Sequence, residues 1–211
     1  MNRTIESTAL ALLILVGAAL ACVEGGEVET TKVSQEEGEE TARSESPESQ
    51  AQPYEVVRRE DTSFPGRRRG TLAITSDAAT YEEFAQTAIK AAREEQERGR
   101  LDAVTVWLLT HADLYGRGFN YAQADYAPDG GGFSGDDGWR WQVTAVDTAW
   151  TDAQLRLRLL WESRRDEHTG SDGMLDEEAL RRAVAAEVDV HPDSLLLLLP
   201  FLWPRDYEVG E

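Results

Sequence analysis

Residues 80–110 constrain the fold more than any other part of the chain, because a capped helix leads directly into an apolar strand. Thr80 and Glu83 have the spacing of a capping box, in which each side chain accepts a hydrogen bond from the backbone N–H of the other residue. Gly99 is expected to supply the left-handed residue that ends the helix. Apolar residues recur at helical spacing on one face between these ends, namely Tyr81, Phe84, Ala85, Ala88, Ile89 and Ala92.

A buried strand is expected directly after the helix. Residues 103–109 read Ala-Val-Thr-Val-Trp-Leu-Leu, a run too apolar to be exposed on both faces of a sheet. An amphipathic helix must bury its apolar face against another layer of secondary structure. The two elements together therefore predict a helix packed across a sheet.

Four more strands are expected around this pair. Residues 54–60 and 71–75 precede the helix, and residues 119–127 and 139–146 follow the buried strand. Alternating side chains within these segments, or turn-forming residues at their ends, support each assignment. The order strand, strand, helix, strand, strand, strand predicts an α+β fold with a largely antiparallel sheet and one packed helix.

The chain is expected to change character near residue 150, where a sheet domain of residues 54–150 gives way to a helical C-terminal extension of residues 151–211. Thr151 and Gln154 form a second capping box. The following residues are predicted to be helical as far as Glu167, although the alternation Leu-Arg-Leu-Arg-Leu from Leu155 to Leu159 also suits a strand.

The end of the chain contains a further helix and a short apolar segment. Asp176 is expected to cap a helix with the buried stripe Leu180, Val184 and Val188. Residues 195–199 are predicted to form a buried helix, because a run that ends at Trp203 is too short to cross a bilayer, which needs about 20 apolar residues. If these residues were exposed instead, they would form a partner-binding patch.

Residues 1–21 have the features of a secretory signal peptide, with a basic residue near the start and an apolar run at 9–20. The string Ala-Ala-Leu-Ala-Cys that ends at Cys22 resembles the lipobox of bacterial lipoproteins, which implies cleavage before Cys22 and lipidation of that residue. An ordinary signal peptide followed by a chance cysteine is the alternative. Val23 follows, and not the Asp that retains many lipoproteins in the inner membrane, so the expected location is the outer membrane. Because the chain has one cysteine, no internal disulfide can form.

Residues 22–53 are expected to form a disordered acidic tether. They are rich in Glu, Ser, Thr and Gln, and nine Glu against two basic residues give a net charge of −7. The whole chain carries −19, and residues 54–211 carry the remaining −12 because the two charges of the signal peptide cancel. This net negative charge argues against nucleic acid as a partner, because binding to phosphate groups needs a basic face.

Several segments of the sheet domain resemble a small bacterial domain of unknown function that is found in secreted proteins and lipoproteins. The resemblance covers about residues 54–146, including the strand segments at 54–57, 71–74 and 103–107 and the capped helix. Its most specific motif is Ala-Asp-Tyr-Ala-Pro-Asp-Gly at residues 124–130. The resemblance implies the α+β fold, but it implies neither an activity nor catalytic residues.

An Asp- and Gly-rich loop at residues 129–138 is the first candidate site. Asp129, Asp136 and Asp137 could converge with backbone oxygens around a hard cation such as calcium. The alternative is a long hairpin connection, in which the same Asp and Gly residues form turns.

A polar cluster of His111, Asp113 and Asp125 is the second candidate site. His111 and Asp113 follow the buried strand, and Asp125 lies on the strand expected to return beside it, on the same side as Gln123. A His paired with carboxylates can act as a base or as a metal ligand. The alternative is a turn that contains a hydrogen-bonded His.

Two further patterns have both a functional and a structural interpretation. If the first two strands pair, Arg58, Arg59 and the triplet at 67–69 would lie close together, as an anion site or as the charged protection of an edge strand. Residues 168–176 partly resemble the calcium-binding loop of an EF-hand, but they lack its last ligand and also suit a plain loop and helix cap.

Taken together, these patterns favour a non-enzymatic binding or interaction module in the cell envelope, held to the membrane by the lipid anchor and in contact with an envelope protein. Trp139, Trp141 and Trp150 are expected either to present one binding surface or to pack between the sheet and the C-terminal helices. The alternative function is a calcium-dependent or hydrolytic enzyme that uses the loop 129–138. No phosphate-binding loop or dinucleotide fingerprint occurs in the sequence, and no cofactor is expected.

Overall fold

The computed structural model describes residues 50–199 and 201–210. The predicted signal peptide, Cys22 and most of the predicted tether lie outside these residues. Within them the chain forms six strands and four α-helices: β1 (Tyr54–Asp61), β2 (Arg69–Ser76), α1 (Tyr81–Gly99), β3 (Ala103–Leu109), β4 (Asn120–Tyr126), β5 (Trp141–Ala145), α2 (Asp152–Arg164), α3 (Glu177–Glu187), α4 (Pro192–Leu198) and β6 (Arg205–Asp206).

The six strands form one sheet in the order β1-β2-β3-β4-β5-β6. β2 and β3 run parallel because α1 crosses over between them, and all other neighbours are antiparallel. The predicted α+β fold, with a largely antiparallel sheet and a helix on one face, is confirmed. β6 was not predicted, because a strand of two residues leaves no alternation to detect.

The main core lies between α1 and one face of the sheet. Strand register places Leu72, Val106, Ala124 and Val143 side by side on that face, and all four are buried. Phe84 and the other apolar residues of α1 cover them. Each fully buried Leu, Val or Phe side chain contributes about 1.5–3 kcal/mol, and so this contact dominates the stability of the domain.

The capping box of α1 forms as predicted. The Thr80 hydroxyl accepts from the N–H of Glu83, and the Glu83 carboxylate accepts from the N–H of Thr80 at 3.1 Å. The predicted end of the helix was wrong by one residue, since Arg100 and not Gly99 adopts the left-handed conformation (φ 50°). Gly99 is needed for space, because a Cβ there would lie 2.8 Å from the side chain of Leu101.

The C-terminal helices build a second core. Its buried residues come from all three helices and are Leu157, Trp161, Leu180, Val184, Ala185, Leu195 and Leu199. The helix predicted after Thr151 is confirmed with its capping box, and the strand alternative is wrong. Val188, predicted to be buried, follows the end of α3 and is exposed.

The apolar segment near the C-terminus is only partly buried. Leu195 and Leu199 lie one helical turn apart and contact the second core, whereas Leu196, Leu197 and Leu198 are exposed. The predicted helix is confirmed, but it is only partly buried, because only one face of α4 packs against the second core. Among the described residues no helix has the length and hydrophobicity needed to span a membrane.

Replacing Thr80 with Ala should lower the free energy of unfolding by about 1 kcal/mol, because the N-terminus of α1 loses its capping hydroxyl. Urea unfolding followed by circular dichroism measures the change. Thr62→Ala is the matched control, since Thr62 is an exposed threonine outside the helix, and it should shift stability by less than about 0.5 kcal/mol. Equal effects of the two substitutions would contradict a capping role for Thr80.

Candidate functional site

The face of the sheet opposite α1 carries polar side chains. Register aligns Glu60, Thr71, Thr105, Asp125 and Gln142 as neighbours across five strands. Side chains alternate between the two faces of a strand, so burial of the alternate residues under α1 places these five on the opposite, partly exposed side. We call this side the polar face.

Asp125 is the most buried charged residue of the polar face, with 5% of its surface exposed. Its Oδ2 accepts a hydrogen bond from Gln123 Nε2 at 2.7 Å, and Thr105 lies opposite Asp125 on β3. Oδ1 is buried and has no hydrogen-bond partner among the described residues. Burial raises the pKa of Asp125 above its ordinary value, and the hydrogen bonds from Thr105 and Gln123 oppose that rise.

A depression of about 580 Å³ surrounds this carboxylate. Four polar side chains of β4 and β5 form its centre, because Asp125 pairs with Gln142 and Gln123 pairs with Thr144 across the two strands. We call it the polar depression; its lining is Gln123, Asp125, Trp141, Gln142, Val143, Thr144, Asp206 and Tyr207. These lining residues include two carboxylates and two amides, and neither Lys nor Arg is among them.

Trp141 and Tyr207 border the polar depression, but their rings pack on the α1 side of the sheet. Trp141 stacks on Tyr126 with ring centroids 4.0 Å apart and an interplanar angle of 16°. The Tyr207 hydroxyl donates to Glu82 at 2.8 Å and accepts from Gln86 at 2.6 Å, and both partners lie on α1. Both rings therefore belong to the helix-covered side of the sheet, and the side chains that line the polar depression from the polar face are Gln123, Asp125, Gln142, Thr144 and Asp206.

His111 and Asp113 do not join Asp125. The Nδ1 atom of His111 accepts a hydrogen bond from the Asp113 N–H at 3.2 Å and caps a 3₁₀ turn at 112–114. Asp125 lies opposite Thr105 on β3. Because Thr105 precedes His111 by six residues, Asp125 and His111 are roughly 20 Å apart at about 3.3 Å per residue of strand. The structure supports the alternative of a turn with a hydrogen-bonded His.

Asp129 does not share a partner with Asp136 and Asp137. Asp129 forms a bidentate ion pair with Arg67, with distances of 2.9 and 3.1 Å. Asp136 and Asp137 both accept from the hydroxyl of Ser134, at 2.5 and 2.6 Å. Among the described residues, no group of three or more His, Cys, Asp or Glu side chains is arranged to hold a metal ion.

Arg67 explains why the Gly-rich loop needs Asp129. Its guanidinium is buried and donates to the carbonyl oxygens of Gly132 and Asp102 as well as to Asp129. It therefore ties the loop to the β1–β2 turn and to the start of β3. These hydrogen bonds from Arg67 hold the pKa of Asp129 down at about 2.

The other arginines near β1 and β2 have separate partners as well. Arg58 pairs with Glu60 on its own strand, and Arg59 pairs with Glu95 of α1. Arg68 donates to the Gly99 carbonyl, and Arg69 donates to the Thr62 carbonyl. The paired strands therefore do not gather these side chains around one anion.

The loop at 168–176 is a turn that ends in a helix cap. Gly170 N–H donates to the Met174 carbonyl, and Asp172 accepts from the Met174 N–H. Asp176 caps α3 by accepting from the Ala179 N–H at 2.9 Å. These contacts are those of a plain loop and cap.

The three tryptophans of the predicted aromatic surface belong to separate groups. Trp141 stacks on Tyr126, Trp139 meets Phe133 edge to face, and Trp150 contacts Phe119 and Tyr121. Trp150 is buried in the main core. They therefore do not present one common surface.

Sequence reasoning found Asp125 but missed its neighbours. The alternation of β4 places Gln123 and Asp125 on one side, as predicted, but the register that brings Gln142 and Thr144 beside them depends on the β4–β5 pairing. Asp206 and Tyr207 come from the far end of the chain, and no local pattern connects them to β5.

Fold and site together define a class of protein: an α+β domain whose sheet is covered by one long helix and carries a ligand-sized polar depression. The chain belongs to the family described as a domain of unknown function, DUF4875, which matches residues 49–201. The match extends beyond residue 146, where the resemblance seen in the sequence ended, and includes α2, α3 and α4.

The chain is also similar to a protein of known structure. The crystal structure of a DUF487 family protein from Desulfovibrio piger is 26% identical in sequence, with a TM-score of 0.64. The similarity covers 75% of this chain and 96% of that protein, so the fold is shared over nearly all of the relative. No curated protein matches the chain.

Asp129→Asn should destabilise the protein by about 1–2 kcal/mol near neutral pH, the value of a hydrogen bond to a charged group reduced for an exposed side chain. The native pKa is depressed, so the stabilisation is complete above the unfolded pKa of about 3.9 and disappears as the pH falls towards 2. Urea unfolding from pH 6 to pH 2 should therefore show the wild type converging on the variant.

Asp136→Asn is the control for this measurement, because Asp136 contacts Ser134 and not the buried Arg67. It should change stability by less than about 0.5 kcal/mol. A stability difference between wild type and Asp129→Asn that stays constant down to pH 2 would contradict the pairing with Arg67.

Proposed function

We propose that this protein is a lipid-anchored protein of the cell envelope whose domain binds small ligands rich in hydrogen-bond donors, without catalysing a reaction. The observation that carries the proposal is the Asp125 carboxylate, which lines the polar depression and whose buried Oδ1 has no hydrogen-bond partner among the described residues. The alternative of an enzyme that uses the loop 129–138 has less support, because its carboxylates are bonded to Arg67 and Ser134.

The lining of the polar depression indicates the chemistry of the ligand. Asp125 and Asp206 carry negative charge, the side-chain oxygens of Gln123, Gln142 and Thr144 can all accept hydrogen bonds, and no lining residue is Lys or Arg. Electrostatic complementarity then favours a ligand with an amino group over one with a carboxylate or phosphate.

The energetics of Asp125 point in the same direction. A buried acceptor without a partner costs about 1–3 kcal/mol, and more if it is charged. A ligand ammonium group close to this carboxylate offsets part of this cost, and it also favours the ionised form of a carboxyl group whose pKa burial raises. Binding and ionisation of Asp125 are therefore expected to support each other.

The envelope location is proposed from the sequence, since residues 1–49 lie outside the described part of the chain. The apolar run before Cys22 and the lipobox-like string support a lipid anchor, with the outer membrane as the location. Family membership in a domain of unknown function is consistent with the module interpretation. An envelope protein remains a further proposed partner, and the acidic charge argues against nucleic acid.

Glucosamine should bind in the polar depression, and glucose should bind at least tenfold more weakly, because the two sugars differ only in the amino group that would face Asp125. Asp125→Asn keeps the shape of the side chain but removes its charge, and it should lower the affinity for glucosamine by a factor of about 10–100, the equivalent of a hydrogen bond to a charged group. Titration followed by NMR chemical shifts of β4 and β5 amides measures both effects.

Asp113→Asn is the matched control, because Asp113 is an exposed carboxylate in the 3₁₀ turn at 112–114. Its affinity for glucosamine should equal that of the wild type. Equal binding of the two sugars, or unchanged binding after Asp125→Asn, would contradict the proposed site.

Cys22→Ser should abolish incorporation of radiolabelled palmitate in a bacterial host and release the protein from the membrane fraction. The substitution removes the thiol that lipidation requires, while the signal for secretion stays intact. Labelling and fractionation of the wild type and of Thr41→Ser, a substitution within the tether, provide the comparison. Palmitate incorporation into the Cys22→Ser variant would contradict the proposed lipid anchor.

A further inference from the structure

Five consecutive or nearly consecutive apolar residues are exposed at the C-terminal end of the protein. We call them the C-terminal apolar surface; they are Leu196 (47% exposed), Leu197 (88%), Leu198 (47%), Phe201 (72%) and Trp203 (80%). The rings of Phe201 and Trp203 lie 6.4 Å apart. Soluble domains rarely expose so many large apolar residues together unless they contact something else.

The second core holds this surface in place. Leu195 and Leu199 are buried at the two ends of one helical turn, so Leu197 projects away from the protein and the half-exposed Leu196 and Leu198 flank it. Leu197 and Trp203 are 88% and 80% exposed and protrude from the protein. Protruding side chains suit insertion into a soft layer better than they suit a rigid partner.

We propose that the C-terminal apolar surface inserts into the lipid–water interface of the membrane that carries the anchor; the inference rests on the proposed lipid anchor at Cys22. Leu, Phe and Trp are the residues that peripheral proteins place at this depth, and Trp is enriched at membrane interfaces. None of the five residues is charged. The contact therefore requires no pairing with lipid headgroups.

The net negative charge of the domain favours apolar insertion over electrostatic adsorption to the membrane. The domain from residue 54 onward carries −12, so an anionic lipid surface would repel it. Three arginines on the nearby elements already have acidic partners: Arg181 pairs with Glu178, Arg158 with Glu162 and Arg205 with Asp147. Binding should consequently depend on the apolar side chains and vary little with salt.

The predicted tether is long enough for such docking. The residues between Cys22 and Gln50 have a root-mean-square reach of about 30 Å if they are flexible, which matches the dimensions of a domain of this size. Stable membrane attachment generally needs two weak signals in combination. A lipid anchor and the C-terminal apolar surface would supply these two signals from opposite ends of the chain.

The test uses residues 22–211 with Cys22→Ser, which carry no acyl chain but retain both cores and every described element. The protein is sedimented with vesicles of pure phosphatidylcholine while its Trp emission is recorded. We expect binding with a blue shift of the emission, a change of less than twofold between 50 and 500 mM salt, and no gain from anionic lipid. Leu197→Asp and Trp203→Asp should each reduce vesicle partitioning at least fivefold.

Met174→Asp is the matched control, because Met174 is an apolar residue with 70% exposure in the loop before α3, outside the C-terminal apolar surface. It should bind vesicles as the wild type does. If an Asp variant fails to fold by circular dichroism, Leu197→Ser and Trp203→Ser replace it.

Three results would overturn the proposal: no binding to phosphatidylcholine, binding that the substitutions at Leu197 and Trp203 leave unchanged, or binding that requires anionic lipid and disappears in salt. Self-association in sedimentation equilibrium that Leu197→Asp abolishes, without vesicle binding, would assign the surface to a second copy of the chain. Palmitate labelling at Cys22 is measured separately, so failure of vesicle binding is distinguishable from failure of the anchor proposal.

Discussion

The packing of α1 against one face of the sheet is the contact on which the rest of the structure depends. Phe84, Ile89 and the small residues of α1 bury the row that contains Leu72, Val106 and Ala124. Because side chains alternate along a strand, covering one face places every second residue on the other face. The polar face, and Asp125 on it, follow directly from this helix–sheet contact.

A second constraint fixes the loop that joins the two strands of the polar depression. The buried guanidinium of Arg67 binds Asp129 and the Gly132 carbonyl and so anchors the connection between β4 and β5 to the β1–β2 turn. A buried cation needs such partners because desolvation is expensive. The motif Ala-Asp-Tyr-Ala-Pro-Asp-Gly therefore combines two tasks, since Asp125 faces the polar depression and Asp129 secures the loop.

The candidate site was partly predictable. Asp125 was singled out as a carboxylate on the returning strand, but His111 and Asp113 were assigned to it because the local sequence does not give the distance along two paired strands. The carboxylates of Asp136 and Asp137 looked suitable for calcium, yet Ser134 binds both of them. Which partner a side chain meets depends on register and loop path, and neither leaves a periodic signal.

By itself, the sequence determined the order of the main strands and helices, the capping boxes at Thr80 and Thr151, and the α+β class, because capping and hydrophobic periodicity are local interactions. Only the tertiary structure decided that Gln142, Thr144 and Asp206 join Asp125, and that Leu197 projects outward while Leu195 and Leu199 are buried. These outcomes depend on contacts between residues distant in sequence. The run of leucines at 195–199 has no alternation of apolar and polar residues, so the sequence cannot show which of the leucines are buried.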